Sequence, residues 1–256
     1  MSLLPVHPLA QFERTGVLHA SGACPHAHLD FLGTQQRRLR AQTGRSRSWH
    51  YHELHNPWSP AATVYDSWGF LDLCQAPALV GQVAQLLGPD FILYDSQWLP
   101  DSGDNIAPRA PLGSDVHRFP VEPLAGLTVV LPLATAGTSA TCLRYLAGSH
   151  RTGGSTVAGE LPLTPGDVVL LNARLQYRLD CPAADSPSAF AIRYFPASSR
   201  YLRDPNAPMH RDLTRRYPLI NYARLPLWLV HGEDRADNDF VTGFGTRAGF
   251  WTQATQ

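Results

Sequence analysis

The chain has 256 residues, of which 44% are hydrophobic and 16% are charged, as expected of a globular protein with a substantial core. Its 21 basic residues are balanced by 21 acidic ones, so it lacks the excess positive charge that binding to nucleic acid or to an acidic membrane requires. Every basic residue is an arginine, which excludes Schiff-base chemistry and a phosphate-binding loop built on lysine.

The sequence predicts a soluble cytoplasmic protein. No apolar run approaches the roughly 18 residues that span a membrane, and Met1–Pro5 does not read as the start of a secretory signal. An arginine-only basic set also favours a GC-rich bacterial genome, because arginine codons are GC-rich. The cysteines are scattered, as is typical of reduced thiols in a cytosolic protein. They are Cys24, Cys74, Cys142 and Cys181.

Helical patterns come first along the chain. Apolar residues at helical spacing predict one helix over His28–Gln42 and another that begins at Pro77 and ends before Gly88. After residue 90 the pattern changes to short apolar runs separated by Pro, Gly, Asp and Asn, which is typical of strands. The predicted strands are Phe91–Leu99, Leu127–Leu133, Thr141–Leu146, Asp167–Leu171 and Phe190–Phe195.

This order predicts a mainly β fold with helices packed outside a sandwich or barrel. We find no internal repeat and no linker, so we expect a single domain over residues 1–256. It would comprise a helical part at about 1–90, a β-rich core at about 91–200 and a C-terminal extension at 201–256.

Four stretches, in order, resemble the phytanoyl-CoA dioxygenase branch of the iron/2-oxoglutarate oxygenases. They are Leu86–Ser96 (LLGPDFILYDS), Arg109–Pro120 (RAPLGSDVHRFP), Cys142–Arg151 (CLRYLAGSHR) and the run from Gly166 (GDVVLL) to Ala191–Pro196 (AIRYFP). The resemblance implies a double-stranded β-helix, a cupin-like jelly roll, with its active site in the mouth of the roll.

The resemblance also implies an iron site, but most of its positions are substituted. Such enzymes hold Fe(II) with two histidines and one carboxylate. Matched to the family's motifs, the first histidine falls on Gly113, the carboxylate on Asp115 and the second histidine on Tyr177. The arginine that pairs with 2-oxoglutarate falls on or near Ser188 and a common lysine falls on Trp98. Only the carboxylate is retained, so we expect no metal and no cofactor.

Several polar residues remain candidates for a site. Asp115, His117 and Tyr177 are the catalytic candidates, with Asp115 as an acid or base and the other two as proton partners. On a strand, Asp115 and His117 would face the same side, which also leaves open a rearranged metal site. The substrate-binding candidates are Gln97, Trp98, Arg109 and Arg193. Arg193 either points into the roll to bind an anion or pairs with an acidic neighbour.

The histidine cluster His50–His55 is a weaker metal candidate, because it precedes the jelly roll and has no matching partner pair. We expect it to form a surface or pocket-rim loop.

Three functions follow from this pattern. In the first, the protein performs non-oxidative, metal-independent chemistry (isomerisation, cyclisation or elimination) on a small biosynthetic molecule. In the second, it is a non-catalytic binding protein or the partner subunit of an active homologue, in a homo- or hetero-oligomer. In the third, it is an oxygenase with a rearranged iron site. We expect neither nucleic acid nor a membrane as a binding partner.

Overall fold

A computed structural model of the chain describes residues 6–41, 48–99, 111–133, 141–153, 156–180, 187–216 and 220–240. Within these ranges, antiparallel strands form most of the regular structure and the longer helices lie mainly in the N-terminal third. The prediction of a mainly β fold with flanking helices is confirmed.

The described helices begin and end where local chemistry dictates. Helix α3 is capped by Asp66, whose carboxylate accepts a hydrogen bond from the Gly69 amide at 3.0 Å. Helix α4 starts at a proline and stops at Gly88, whose φ of 87° suits glycine. The α-helices are α1 (Val6–Thr15), α2 (His26–Ala41), α3 (Ser67–Cys74), α4 (Pro77–Leu87) and α5 (Pro208–Arg216). Short 3-10 turns cover Ser48–Tyr51, Pro60–Thr63, Asp115–Arg118 and Tyr222–Arg224.

The described strands make three antiparallel sheets. A six-stranded sheet has the order β1-β7-β4-β9-β2-β11, a three-stranded sheet has the order β6-β5-β8, and β10 pairs with β3. The strands are β1 (Val17–Ala20), β2 (Phe91–Leu99), β3 (Val121–Glu122), β4 (Leu127–Pro132), β5 (Thr141–Ala147), β6 (Val157–Leu163), β7 (Val168–Asn172), β8 (Tyr177–Asp180), β9 (Ala189–Pro196), β10 (Arg200–Tyr201) and β11 (Trp228–His231).

The two faces of the large sheet pack differently. On its outer face, residues such as Val129, Phe190 and Ile192 form one core with Leu32 of α2 and Phe70 of α3. On its inner face, a second core joins it to the three-stranded sheet. The aliphatic members of this inner core include Leu99, Val130, Leu143, Leu163 and Val169. The two sheets therefore enclose an interior, and the helices cover the back of the larger one.

All five predicted strands and both predicted helices are present, with ends shifted by up to two residues. The stretch around Asp115–His117 is not a strand but the 3-10 turn Asp115–Arg118.

Among the described residues, no single helix is long and apolar enough to cross a membrane, although α3 and α4, bent by 50°, pass that test as a pair by length and composition. Cys24 and Cys74 are buried free thiols and Cys142 is a half-buried one, whereas Cys181 lies outside the described residues.

Candidate functional site

A belt of polar side chains crosses the interior of the roll. The large sheet contributes Asp95 and Gln97 from β2, Thr128 from β4 and Arg193 from β9; the turn before β3 contributes Asp115 and Arg118, and β8 contributes Tyr177. We call these seven residues the polar belt. Apart from Tyr177, which is half-buried, every member is at most 9% exposed.

Strand register brings the sheet members together. Arg193 lies directly between Asp95 on β2 and Thr128 on β4, so the three side chains share one face of the sheet. Gln97 is two residues beyond Asp95 and points to the same face. A register shift between Leu93 and Asp95 precedes this row.

Asp115 is the centre of the belt. Its Oδ2 accepts hydrogen bonds from Thr128 Oγ1 at 2.7 Å and from Tyr177 Oη at 2.9 Å. Two guanidinium groups also face it, with Arg193 Nε 3.5 Å from Oδ2 and Arg118 Nε 3.8 Å from Oδ1. The carboxylate is therefore surrounded by donors and positive charge.

The remaining contacts link the two arginines to the rest of the belt. Arg193 donates to Asp95 Oδ2 at 2.6 Å and to Gln97 Oε1 at 3.0 Å. Arg118 donates to the same Gln97 oxygen at 3.0 Å. The carbonyl of Arg118 accepts a hydrogen bond from Tyr94, which fixes the turn over the sheet.

These contacts set the charge states of the belt. Burial disfavours the Asp115 anion, but Arg193 and Arg118, with hydrogen bonds from Thr128 and Tyr177, outweigh burial and lower the pKa of Asp115. Burial and the neighbouring Asp115 anion raise the pKa of Tyr177 well above its ordinary value. At neutral pH the belt therefore holds an ionised Asp115 and a neutral Tyr177.

Hydrophobic residues pack on two sides of the belt. Aromatic residues including Tyr94, Phe119 and Phe195 pack on one side of it, and the aliphatic inner core packs on the other. Next to Tyr177, the backbone of Gly113 is exposed. Gly113 and Tyr177 pair as an antiparallel bridge with N···O distances of 3.1 and 2.8 Å. Tyr177, which is half-buried, is thus the least buried member of the belt.

The structure brings some predicted site residues together and separates others. Asp115, Tyr177, Gln97 and Arg193 all lie in the belt. His117 does not, because Asp115 and His117 follow a 3-10 turn and not a strand, so Asp115 is buried while His117 is exposed. The expectation that both face the same side is wrong.

Trp98 and Arg109 do not support the predicted binding site. Trp98 points to the outer face, where it packs edge-on against Phe70 and Phe190 with ring centroids 5.4 Å away from each. Its position on the strand next to Gln97 places it on the opposite face of the sheet. Arg109 lies outside the described residues. Arg193 points into the roll but is paired with Asp95 and Asp115, which combines the two alternatives left open for it.

The histidine-rich segment is buried and not on the surface as expected. It runs beside β2, where His52 bridges Gln97 and His55 Nδ1 lies 2.8 Å from Ser96 Oγ. Burial lowers the pKa of His55 to about 4, although Asp95 opposes this. Glu53 adopts a left-handed backbone conformation with φ of 55°. Burial, opposed by a hydrogen bond from Asn56 and assisted by Asp95, raises the pKa of Glu53 to about 8.

Sequence reasoning did not select three members of the belt, Asp95, Thr128 and Arg118, as catalytic or substrate-binding residues. A partial signal was present, since Asp95, Ser96 and Gln97 form a polar run within an otherwise mainly apolar strand, and Asp95 and Gln97 share one face of it. Their partners come from distant strands, and no local pattern reveals that pairing.

The positions that match the iron ligands do converge, but their residues do not fit a metal. Gly113 offers no ligand atom, and the Tyr177 hydroxyl already donates to Asp115. Across the described ranges, no three His, Cys, Asp or Glu side chains are grouped so that they could hold a metal ion. Asp115 and Tyr177, which the resemblance assigns to two of the ligand positions, thus form a hydrogen-bonded pair.

The position that matches the 2-oxoglutarate arginine is equally unsuited. Ser188 is fully buried, and its backbone joins β2 and β9 by donating to the Leu99 carbonyl at 2.6 Å. A hydroxyl cannot form the two-point ion pair that a guanidinium makes with a carboxylate. The described residues therefore do not fit iron and 2-oxoglutarate, and we derive no step through either.

Comparison with known proteins finds solved structures of the same fold. No protein-family model matches the chain, and no curated protein matches its sequence. CytC3 with Fe(II) and alpha-ketoglutarate (2-oxoglutarate) is 16% identical, with a TM-score of 0.67 over 97% of both chains. The alpha-ketoglutarate dependent epimerase SnoN from nogalamycin biosynthesis is 18% identical, with a TM-score of 0.59 over 79% of this chain and 87% of SnoN.

The alpha-ketoglutarate dependent carbocyclase SnoK, from the same biosynthesis, is 16% identical, with a TM-score of 0.58 over 83% of this chain and 90% of SnoK. Likeness at this identity carries the fold and not the reaction. The chain has the double-stranded β-helix fold of the iron/2-oxoglutarate oxygenases.

Proposed function

We propose that this chain carries out metal-independent proton-transfer chemistry on a small, uncharged biosynthetic molecule bound beside Tyr177. The observation that carries the proposal is the pair formed by the Tyr177 hydroxyl and the Asp115 carboxylate, 2.9 Å apart, in which Tyr177 is only half-buried. One member is a neutral donor and the other an ionised acceptor, so the pair offers a hydrogen-bond donor and a proton acceptor side by side.

The reaction we propose begins at a carbon next to a carbonyl group. Substrate binding first turns the single Tyr177 O–H from Asp115 to the carbonyl oxygen. Asp115 then accepts the proton from that carbon, while Tyr177 donates a hydrogen bond to the carbonyl oxygen and stabilises the enolate that forms. Return of the proton to another carbon gives an isomerisation. Loss of a leaving group gives an elimination, and attack of the enolate on a second carbonyl in the same molecule gives a cyclisation. In each case Asp115 gives up the proton at the end and is restored.

The charges of the belt support an uncharged substrate. Two carboxylates and two guanidinium groups are paired with one another, so no belt cation is left for an acidic substrate. SnoN and SnoK, which share the fold, are enzymes of nogalamycin biosynthesis. We extend that substrate class, a small biosynthetic molecule, to this chain, and the ordered motifs of the sequence support a place in the phytanoyl-CoA dioxygenase-like branch.

A carbon-acid exchange experiment tests this proposal. The protein is incubated in D2O with a panel of uncharged ketones and enones, and deuterium incorporation and product formation are measured by mass spectrometry. We expect incorporation by the wild-type protein, its loss in Asp115→Asn and a reduction of about 100-fold in Tyr177→Phe.

Tyr145→Phe is the matched control, because Tyr145 lies opposite Tyr177 in the sheet. We expect it to retain the exchange rate within about threefold. If Asp115→Asn and the wild-type protein exchange equally, the proposed base is wrong.

The pairing of the belt's carboxylates with its own guanidinium groups also favours a second function. A belt whose ions pair internally also suits a non-catalytic partner subunit, in which the cluster serves only to hold the roll together. Gel filtration with an intact iron/2-oxoglutarate oxygenase of the same organism tests this function. Co-elution together with raised activity of the oxygenase is the expected result, and separate elution contradicts it.

A further inference from the structure

The charge inside the roll is balanced by side chains alone. The belt contains two carboxylates, Asp95 and Asp115, and two guanidinium groups, Arg118 and Arg193, each at most 9% exposed. Buried carboxylates are stable as anions only when positive charge lies close by. In this belt each carboxylate faces a guanidinium, at 2.6 Å for Asp95 and at 3.5 and 3.8 Å for Asp115.

The arrangement around Asp115 is that of a carboxylate bound to a cation. Donors approach one oxygen from Thr128 and Tyr177, and Arg118 and Arg193 approach the carboxylate from two sides. A divalent cation at Asp115 would have to share this space with two positive groups. Like charges at such separations disfavour one another strongly where water is excluded.

We infer that Arg118 and Arg193 take over the electrostatic role of a metal ion at Asp115, and that they exclude divalent cations from the roll independently of the missing histidines. Metal binding then meets two separate barriers. One is the absence of ligands at positions 113 and 177, and the other is the presence of the two arginines. This inference concerns metal binding and does not rest on the proposed reaction.

Substitutions at positions 113, 177 and 118 can test the two barriers separately. A side chain added at Gly113 would meet no heavy atom within 4 Å of its Cβ, so a histidine fits there. Gly113 and Tyr177 are hydrogen-bonded neighbours, which places histidines at both positions next to each other and near Asp115. Arg118 lies at the edge of the belt, and glutamine at this position keeps a hydrogen-bond donor towards Gln97.

The experiment compares Mn(II) binding, by calorimetry and electron paramagnetic resonance, in three proteins: the wild type, Gly113→His/Tyr177→His, and the same double variant with Arg118→Gln. We expect the wild type and the double variant to show no saturable binding up to about 100 μM Mn(II). The triple variant should bind Mn(II) at least about tenfold more tightly than this limit. Equal affinity in the double and triple variants would overturn the inference, as would a folded triple variant that does not bind.

Arg178→Gln in the double variant is the matched control, because Arg178 lies next to position 177 but is paired with Asp180. It is expected to leave Mn(II) binding unchanged, and a gain equal to that of Arg118→Gln contradicts the inference. Should the multiple variants not fold, Gly113→His with and without Arg118→Gln provides the test, because both proteins keep the hydrogen bond from Tyr177 to Asp115. We expect tighter Mn(II) binding in the protein that lacks Arg118, and equal affinity overturns the inference.

Discussion

The buried glutamate beside the polar belt makes stability depend on pH in a defined window. Glu53 is 5% exposed, and burial is the main cause that raises its pKa from 4.5 to about 8. A carboxyl group whose folded-state pKa is raised stabilises the fold fully below pH 4.5, and this stabilisation is lost as the pH rises towards 8. His55 acts in the opposite direction, because its pKa is lowered from 6.5 to about 4, and its contribution levels off only about one pH unit above 6.5.

The difference between the wild type and a variant without this carboxyl group therefore isolates Glu53 between pH 6.5 and 8, because His55 is present in both proteins. At about 1.4 kcal/mol for each pH unit, and with the loss levelling off near pH 8, the free energy of unfolding should fall by about 2 kcal/mol across this window. Glu53→Gln removes the titrating group and keeps an oxygen for the hydrogen bond from Asn56, which is 2.9 Å long. We expect the wild-type protein to lose about 2 kcal/mol more than this variant between the two pH values, measured by urea unfolding.

Glu160→Gln is the matched control, because the side chain of Glu160 is 53% exposed. It should show the pH dependence of the wild type. If the wild type and Glu53→Gln lose stability equally between pH 6.5 and 8, Glu53 is not protonated in the fold, and the account of this segment is refuted.

Two further substitutions test the packing and the charges of the roll. Arg193→Met should destabilise the protein by about 3–5 kcal/mol in urea unfolding, because Asp95 and Asp115 lose their shared cation. Arg178→Met, which breaks a partly exposed ion pair, should cost less than about 1 kcal/mol. If Arg178→Met and Arg193→Met lose equal stability, Arg193 does not neutralise the two buried carboxylates as described. Trp98→Ala should cost about 3–5 kcal/mol through the cavity that it leaves on the outer face. A loss below about 1 kcal/mol would contradict the packing assigned to Trp98.

Much of the fold could be predicted because it follows from local signals. Helix α4 begins at a proline and ends before Gly88, and both of its ends match the prediction. Strand β2 was also predicted over its full length, since a long apolar run follows a turn. Short and exposed strands such as β6 and β8 were missed, because Val157–Leu163 and Tyr177–Asp180 carry no continuous apolar run.

The candidate site could be predicted only in part. The resemblance placed Asp115 and Tyr177 at matched ligand positions, and they are hydrogen-bonded in the structure. The pairing of Arg193 with Asp95 depends on the register between β2 and β9, which are about 100 residues apart and whose alignment no local sequence pattern sets. The burial of Glu53 and His55 was missed for a similar reason, because it arises from contact with β2 and not from their own segment.

The roll has the fold of the iron/2-oxoglutarate oxygenases, and we propose that it works without the metal. The most direct test is an anaerobic calorimetric titration of metal-stripped protein with Fe(II), with and without 2-oxoglutarate. We predict no saturable binding up to about 100 μM metal in either case. Stoichiometric binding that is strengthened by 2-oxoglutarate and lost in Asp115→Ala would contradict the claim and identify an oxygenase with unusual ligands.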